Sequence, residues 1–266
     1  MINKTDSYQN SKLPQSQRKA VASHTVVSIV IPFFNESQTL EKLVNRVVDN
    51  PFSKEIVLVD DGSTDDSLAI AERLVVQHSN CASGFTNQLI VRVHERNIGK
   101  GAALKTGMLN VSGDLVVLQD ADLEYHPEEI QQLIQPIIDG RADVVYGSRF
   151  AGQDTDSSRK NSSGYRSNYI ANQIITRFSN LLTGLKLTDI ETGYKVFTRE
   201  VTERLAPTLV SRSFAIEPEI TARVAKQKVR VIEVPISYSS RTYQEGKKIG
   251  WWDGIKALLA ILRFAI

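Results

Sequence analysis

Gln119-Asp120-Ala121-Asp122-Leu123-Glu124 places three carboxylates directly behind the apolar run 115–118. A buried strand that surfaces into such a cluster offers hard oxygen donors of the kind that Mg²⁺ and Mn²⁺ prefer. Asp120 and Asp122 lie two apart and so leave a regular strand on one face, and a turn after them can bring Glu124 alongside. An acidic pair at a strand end can equally cap a helix or stand solvated in a turn. The choice between these depends on what lies upstream.

Val59-Asp60-Asp61-Gly62-Ser63-Thr64-Asp65 has a similar build. It reads as a strand end, a glycine turn and a helix cap. An acid so placed can also accept the N3–H of a uracil, or the N1–H and amino group of a guanine. Pro32-Phe33-Phe34-Asn35-Glu36 is positioned to flank the same base and its ribose. Asn97-Ile98-Gly99-Lys100-Gly101 opens a helix with small residues, which lets a diphosphate approach its backbone. It is not a Walker loop, because Gly101 stands where Ser or Thr belongs, nor a dinucleotide fingerprint, because Leu104 replaces the third glycine.

Two further constellations lie downstream. In Thr188-Asp189-Ile190-Glu191-Thr192-Gly193-Tyr194-Lys195, Asp189 can act as a base toward a hydroxyl or as a structural hydrogen-bond acceptor. The basic loop 241–248 is either a solvated turn or a phosphate grip. In the second case Arg241 would supply two parallel hydrogen bonds and Lys247 a point charge.

These residues need elements that carry them to one place. Short β-branched runs at 26–31, 56–59, 89–93, 115–118, 143–146 and 229–234 predict strands, and helical patterns fall between them. Such alternation predicts an α/β fold, a mainly parallel sheet flanked by helices on both faces. Ligands of such sheets bind at the carboxyl ends of the strands, where the polar segments fall. Residues 1–25 read as a flexible, mildly basic tail and 26–250 as one large domain. Residues 251–266 read as an amphipathic helix with a stripe of Trp251, Ile255, Leu258 and Leu262. That stripe is expected to pack on the core; the alternative is a membrane interface, which a leading Trp and nearby cations suit.

With 266 residues and 41% hydrophobic content the chain can bury a full core. A net charge of +2 argues against a nucleic-acid partner. The single cysteine, Cys81, forms no internal disulfide, and no apolar signal-peptide core follows Met1. No segment reaches the roughly 18 to 20 apolar residues that span a bilayer. A cytoplasmic protein is expected, with peripheral contact to the cytosolic membrane face as the one membrane option.

In order and approximate spacing, Pro32-Phe-Phe-Asn-Glu36, Val59-Asp-Asp-Gly-Ser-Thr-Asp65, Asn97-x-Gly-Lys-Gly101, Asp120-Ala-Asp-Leu-Glu124 and Gly147-Ser-Arg149 resemble the inverting family 2 glycosyltransferases. Within that family the chain looks like the polyprenyl-phosphate (dolichyl-phosphate) hexose synthases, over about residues 26–250. The resemblance implies a glycosyltransferase-A-type, nucleotide-sugar-binding fold. It implies transfer of a hexose of mannose or glucose type from a UDP- or GDP-hexose donor to a polyprenyl phosphate.

Carried over, Pro32, Phe34, Glu36, Val59 and Asp61 would form the nucleoside pocket, with Lys100 beside the donor. Asp120, Asp122 and Glu124 would meet the Mg²⁺ or Mn²⁺ that neutralises the diphosphate; these synthases typically have Gln at the place of Glu124. Arg149, Arg166, Arg241 and Lys247 would surround the phosphates of donor and acceptor, and Asp189 would complete the catalytic set. A rival reading is transfer to a glycan or other hydroxyl, with Asp189 or Glu191 removing the proton; a noncatalytic nucleotide-sugar-binding module is a lesser one. The absence of Gln-x-x-Arg-Trp argues against a processive synthase.

Overall fold

The apolar runs become strands because both of their faces are covered. The computed structural model describes residues 25–78, 87–151, 163–239 and 251–266. Strand and helix alternate through β1 (Val27–Phe33), α1 (Leu40–Val48), β2 (Lys54–Asp60), α2 (Ser67–His78), β3 (Asn87–Val93), α3 (Lys100–Met108) and β4 (Leu115–Leu118). A 3-10 turn (Pro127–Glu129), α4 (Ile130–Ile138), β5 (Val144–Ser148) and α5 (Ser163–Thr183) follow. The chain continues through β6 (Lys195–Thr198), α6 (Arg199–Leu205), α7 (Ile216–Lys226), β7 (Val231–Pro235) and α8 (Trp251–Ala265).

Among the described residues the strands form one sheet in the order β3-β2-β1-β4-β6-β5-β7. All neighbours are parallel except β6, which runs antiparallel to both β4 and β5. Alternation sorts the side chains into two cores. Val27, Ile29, Ile31 and Phe33 of β1 join α1 and α4 on one face, while Val30 joins residues of α3 and α7 on the other. In α1 the buried positions Leu40, Leu43, Val44 and Val47 keep the spacing of one helical stripe.

The expected parallel sheet is present, with two additions and one partial inversion. β6 and α6 do not appear in the sequence reading, because Lys195 and Thr198 bracket a run of only two apolar residues. In α8 the stripe expected to face the core does so only in part, with Leu258 packed on the core and Ile255 and Leu262 turned outward. Ala257, Ala260, Ile261 and Phe264 are buried, whereas Ile255 and Leu262 are exposed and Leu258 is half-buried. Residues 1–24 of the expected tail, the loop carrying Arg241 and Lys247, and the side chains of Arg166 and Trp251 lie outside the described residues. Among the described residues no helix is long and apolar enough to cross a membrane.

Candidate active site

The antiparallel strand explains why distant segments meet. Parallel strands deliver their carboxyl ends to one rim of a sheet, and an antiparallel neighbour delivers its amino end there instead. Lys195, the first residue of β6, pairs with Leu118 at the end of β4 and with Tyr146 in β5. The segment 188–195 is thereby carried to the rim where the loops after β1, β2, β4 and β5 emerge.

The first two loops are knitted together. Asn35 accepts a hydrogen bond from the Thr64 amide at 2.8 Å, and the Asn35 and Glu36 amides donate to Ser63 Oγ at 3.0 Å and Ser67 Oγ at 2.8 Å. Pro32 stands opposite Val59 in the β1–β2 register, at the end of both strands. Phe34 and Glu36 are half-buried, and the Glu36 carboxylate accepts from Thr39 Oγ1 at 2.7 Å. The Val59 side chain is wholly buried beneath α3 with Val57 and Ala103. The core takes that side chain, which leaves the Val59 backbone as the part that can line a nucleoside pocket.

Asp61 is buried and holds the third loop. Its oxygens accept from the amides of Ile98 at 3.0 Å and Gly99 at 2.7 Å, and one of them lies 2.8 Å from His94 Nδ1. Gly99 has φ 112°, and a Cβ there would lie 2.2 Å from the Arg212 carbonyl oxygen. Only glycine fits this turn, which aims Lys100 at the rim.

There Lys100 Nζ lies 2.8 Å from Asp120 Oδ1 and 3.0 Å from Glu217 Oε1. Glu217 in turn accepts from Lys195 Nζ at 2.5 Å, so a half-buried and a fully buried lysine share one buried carboxylate. Burial opposes the charge on Lys100, but Asp120 and Glu217 outweigh it and hold its pKa well above that of an ordinary lysine. Burial likewise opposes ionisation of Glu217, and Lys195 and Lys100 overcome it.

The three-carboxylate centre expected at 120–124 is not assembled; among the described residues no group of three such side chains stands ready for a metal. The reason is local. Leu123 takes a left-handed φ of 61°, and the turn sends each acid to a different partner. Asp120 faces Lys100, Asp122 accepts from the Glu124 amide at 3.1 Å, and Glu124 accepts from the Tyr238 hydroxyl at 2.5 Å. Asp120 and Asp122 remain hard-oxygen donors on the rim, and chemically they suit Mg²⁺ or Mn²⁺. A Cβ on Gly193 would lie 2.3 Å from Asp120 Oδ2, so glycine is what leaves that carboxylate its place.

The second half of the site is built on Arg149. Its guanidinium grips Asp189 with Nε at 2.6 Å from Oδ2 and Nη2 at 2.8 Å from Oδ1. The Arg149 amide and Asn172 Nδ2 donate to the same carboxylate at 3.2 and 2.9 Å. Burial disfavours the charge on Asp189, but Arg149 outweighs it and holds the pKa below the ordinary carboxylate range. Asp189 is fully buried with its carboxylate held by Arg149 and Asn172, an arrangement that matches the hydrogen-bond-acceptor alternative of the sequence analysis. The Arg149 guanidinium also stacks 5.0 Å from the Tyr238 ring centre.

Glu191, two residues on, differs from all of these. Its Oε1 is buried and has no hydrogen-bond partner. Burial, then the charge of Glu217, push its pKa up to about 7, against opposing contributions from Lys195 and Arg149. Sequence reasoning missed Glu217, Tyr125 and Tyr238 as parts of the site, and it found Lys195 only as the end of the 188–195 constellation, without its partner. Glu217 looks like any polar residue of a helix, and only the sheet order brings it to Lys100. Tyr125 fixes the 188–195 segment by accepting from the Gly193 amide at 2.8 Å; its only signal in the sequence was its place directly after the acidic run.

The model of "Glycosyl transferase family 2" matches residues 28–206. A UDP-N-acetylglucosamine–dolichyl-phosphate N-acetylglucosaminyltransferase of Methanococcus voltae is 26% identical over 248 residues, covering 89% of this chain and 95% of the relative. A polyprenol monophosphomannose synthase of Mycolicibacterium smegmatis is 29% identical over 226 residues, covering 84% and 80%. Among solved structures, glucosyl-3-phosphoglycerate synthase of Mycobacterium tuberculosis with Mn²⁺, UDP-glucose and phosphoglyceric acid superposes with TM-score 0.62 at 19% identity, covering 95% of this chain and 84% of that one. The same protein with Mg²⁺ and UDP gives TM-score 0.63. The likeness establishes a glycosyltransferase-A-type fold.

Proposed function

Because the chain belongs to glycosyl transferase family 2, and is therefore a glycosyltransferase, we propose that it moves a sugar from a nucleotide-sugar donor to the phosphate of a polyprenyl or dolichyl phosphate. The two curated relatives differ in the sugar they name, N-acetylglucosamine and mannose, and agree on a polyprenol-type phosphate. The acceptor class is thus what they support most strongly.

The structural observation that carries the reading is the commitment of Asp189 to Arg149 and Asn172. A hydroxyl acceptor needs a base to take its proton. A phosphate monoester is already anionic near neutral pH and needs cations instead. One of its oxygens attacks the anomeric carbon, the bond from that carbon to the donor diphosphate breaks, and the electron pair leaves on the nucleoside diphosphate.

Pro32, Phe34 and Glu36 flank the nucleoside, and Asp61, whose carboxylate can accept one bond beyond those it makes, meets the base. Asp120 and Asp122 would hold Mg²⁺ or Mn²⁺, which supplies charge neutralisation to the diphosphate. Lys100 contributes a positive charge beside Asp120, and Arg149 presents one across the rim. Arg166, Arg241 and Lys247 add the remaining cations that two mutually repelling phosphates require.

The test is a mass-spectrometric donor screen with purified protein, Mg²⁺ or Mn²⁺, UDP- and GDP-sugars and a short polyprenyl phosphate. A product heavier than the acceptor by one sugar is expected with one donor; no such product with any donor overturns the reading. The unpartnered oxygen of Glu191 favours a second reading, transfer to a hydroxyl with Glu191 as base. In that case Glu191→Gln should lower kcat roughly 100- to 10,000-fold, whereas the phosphate-acceptor reading expects most of the activity to remain.

A further inference from the structure

Asp61 and His94 follow directly on β2 and β3, whose register sets Asp60 opposite Val93, so the two side chains meet at the carboxyl ends of neighbouring strands. His94 Nδ1 lies 2.8 Å from Asp61 Oδ1, and His94 Nε2 lies 2.9 Å from Thr106 Oγ1 on α3. A carboxylate only accepts, so Nδ1 carries the proton and donates it to Asp61. In that tautomer Nε2 accepts from the Thr106 hydroxyl, and α3 fixes the ring from behind. The pair is sheltered from water, with side-chain exposures of 11% for His94 and 4% for Asp61. Oδ1 also accepts from the Ile98 amide at 3.0 Å, and Oδ2 accepts from the Gly99 amide at 2.7 Å. A carboxylate has about four acceptor sites, two on each oxygen. Oδ1 is therefore full, and among the described residues the one site left is on Oδ2.

The two bases that an acid in this place can read differ in what they require. Uracil offers a single ring donor, its N3–H, between two carbonyls. Guanine offers its N1–H and its amino group side by side, a pair of donors that engages both oxygens of a carboxylate. One open site on Oδ2 satisfies uracil in full. It leaves one guanine donor against a filled oxygen, and a buried donor without a partner is costly. We propose that His94, by filling Oδ1 of Asp61, commits the donor pocket to a uridine diphosphate sugar in preference to a guanosine diphosphate sugar. His94 is a positioning residue, since it acts through Asp61. The carboxylate cannot turn to free Oδ1 without releasing the Ile98 and Gly99 amides, which belong to the turn that aims Lys100 at Asp120. The proposal rests on the nucleotide-sugar reading and names its nucleotide, and its test uses neither sugar nor acceptor.

The experiment is isothermal titration calorimetry of the full chain with UDP and with GDP, both in the presence of Mg²⁺. Wild type should bind UDP at least about tenfold more tightly than GDP, since one guanine donor goes unmet. His94→Asn keeps an N–H donor near the place of Nδ1 and should retain the preference. His94→Ala opens the second site on Oδ1 and should lower the ratio of the two affinities at least about threefold. A merely structural role would weaken both nucleotides together and leave the ratio where it was. Where His94→Ala does not fold, Thr106→Val, which removes the hydroxyl that fixes the tautomer, takes its place in the same comparison. Equal binding of the two nucleotides by wild type, tighter binding of GDP, or an unchanged ratio in the folded variant overturns the proposal and leaves the nucleotide-sugar reading standing. Binding of neither nucleotide overturns both.

Discussion

Asp189 and Glu191 stand two residues apart and have opposite roles. Asp189 is saturated by Arg149 and Asn172. Its replacement by Ala would leave the half-buried Arg149 charge uncompensated, and we expect a loss of about 3 kcal/mol in stability, measured by denaturant unfolding. Glu191 is the reverse case. Its folded pKa is raised from the usual carboxylate value to about 7, so the folded state binds more protons than the unfolded state between those values. Its contribution to stability is therefore full below the unfolded pKa and is lost as pH rises through about 7. Glu191→Gln should remove that slope, and melting temperatures across pH 5 to 8 should flatten relative to wild type; an unchanged profile would show that Glu191 is not the group responsible. Asp120→Asn and Asp122→Asn should each abolish the divalent-ion-dependent transfer with folding retained. Full activity of either variant, or of wild type with excess chelator, would end the metal assignment.

At the scale of elements, β6 decides where the site lies. Its four residues run against β4 and β5 and bring Lys195 to Glu217, and Gly193 to Asp120. α6 follows it directly and is capped by Thr198, whose hydroxyl accepts from the Val201 amide at 3.3 Å. Thr198→Ala should cost about 1 kcal/mol by thermal unfolding; no change would mean that the cap is redundant with the strand pairing. The parallel strands were legible because each is an apolar run bounded by turn residues. β6 was not, since a buried lysine at its start is satisfied only by a glutamate on α7. For the same reason Asp120, Lys100 and Arg149 were recognisable as candidates from local motifs, while the Arg149–Asp189 grip, forty residues apart in the chain, required the fold. An amphipathic α8 was visible in the sequence, but which of its residues face inward depends on the neighbour it packs against: Ala257, Ala260, Ile261 and Phe264 are buried, and Ile255 and Leu262 of the expected stripe are not.

At the scale of the molecule, the sheet divides the work. Loops after β1 and β2, tied to the turn before α3 through Asp61, form the half that suits a nucleoside diphosphate. Arg149 and the 188–195 segment form the other half, the one to which the proposed function assigns the second phosphate. In this division the phosphate of the acceptor is the nucleophile and the lipid is its anchor. The most direct test compares a short polyprenyl phosphate with the polyprenol of identical chain, using the donor that the screen identifies. We predict transfer to the phosphate alone, with a product in which the sugar is joined through that phosphate. Comparable transfer to the polyprenol, or to a water-soluble hydroxyl acceptor, would contradict the account.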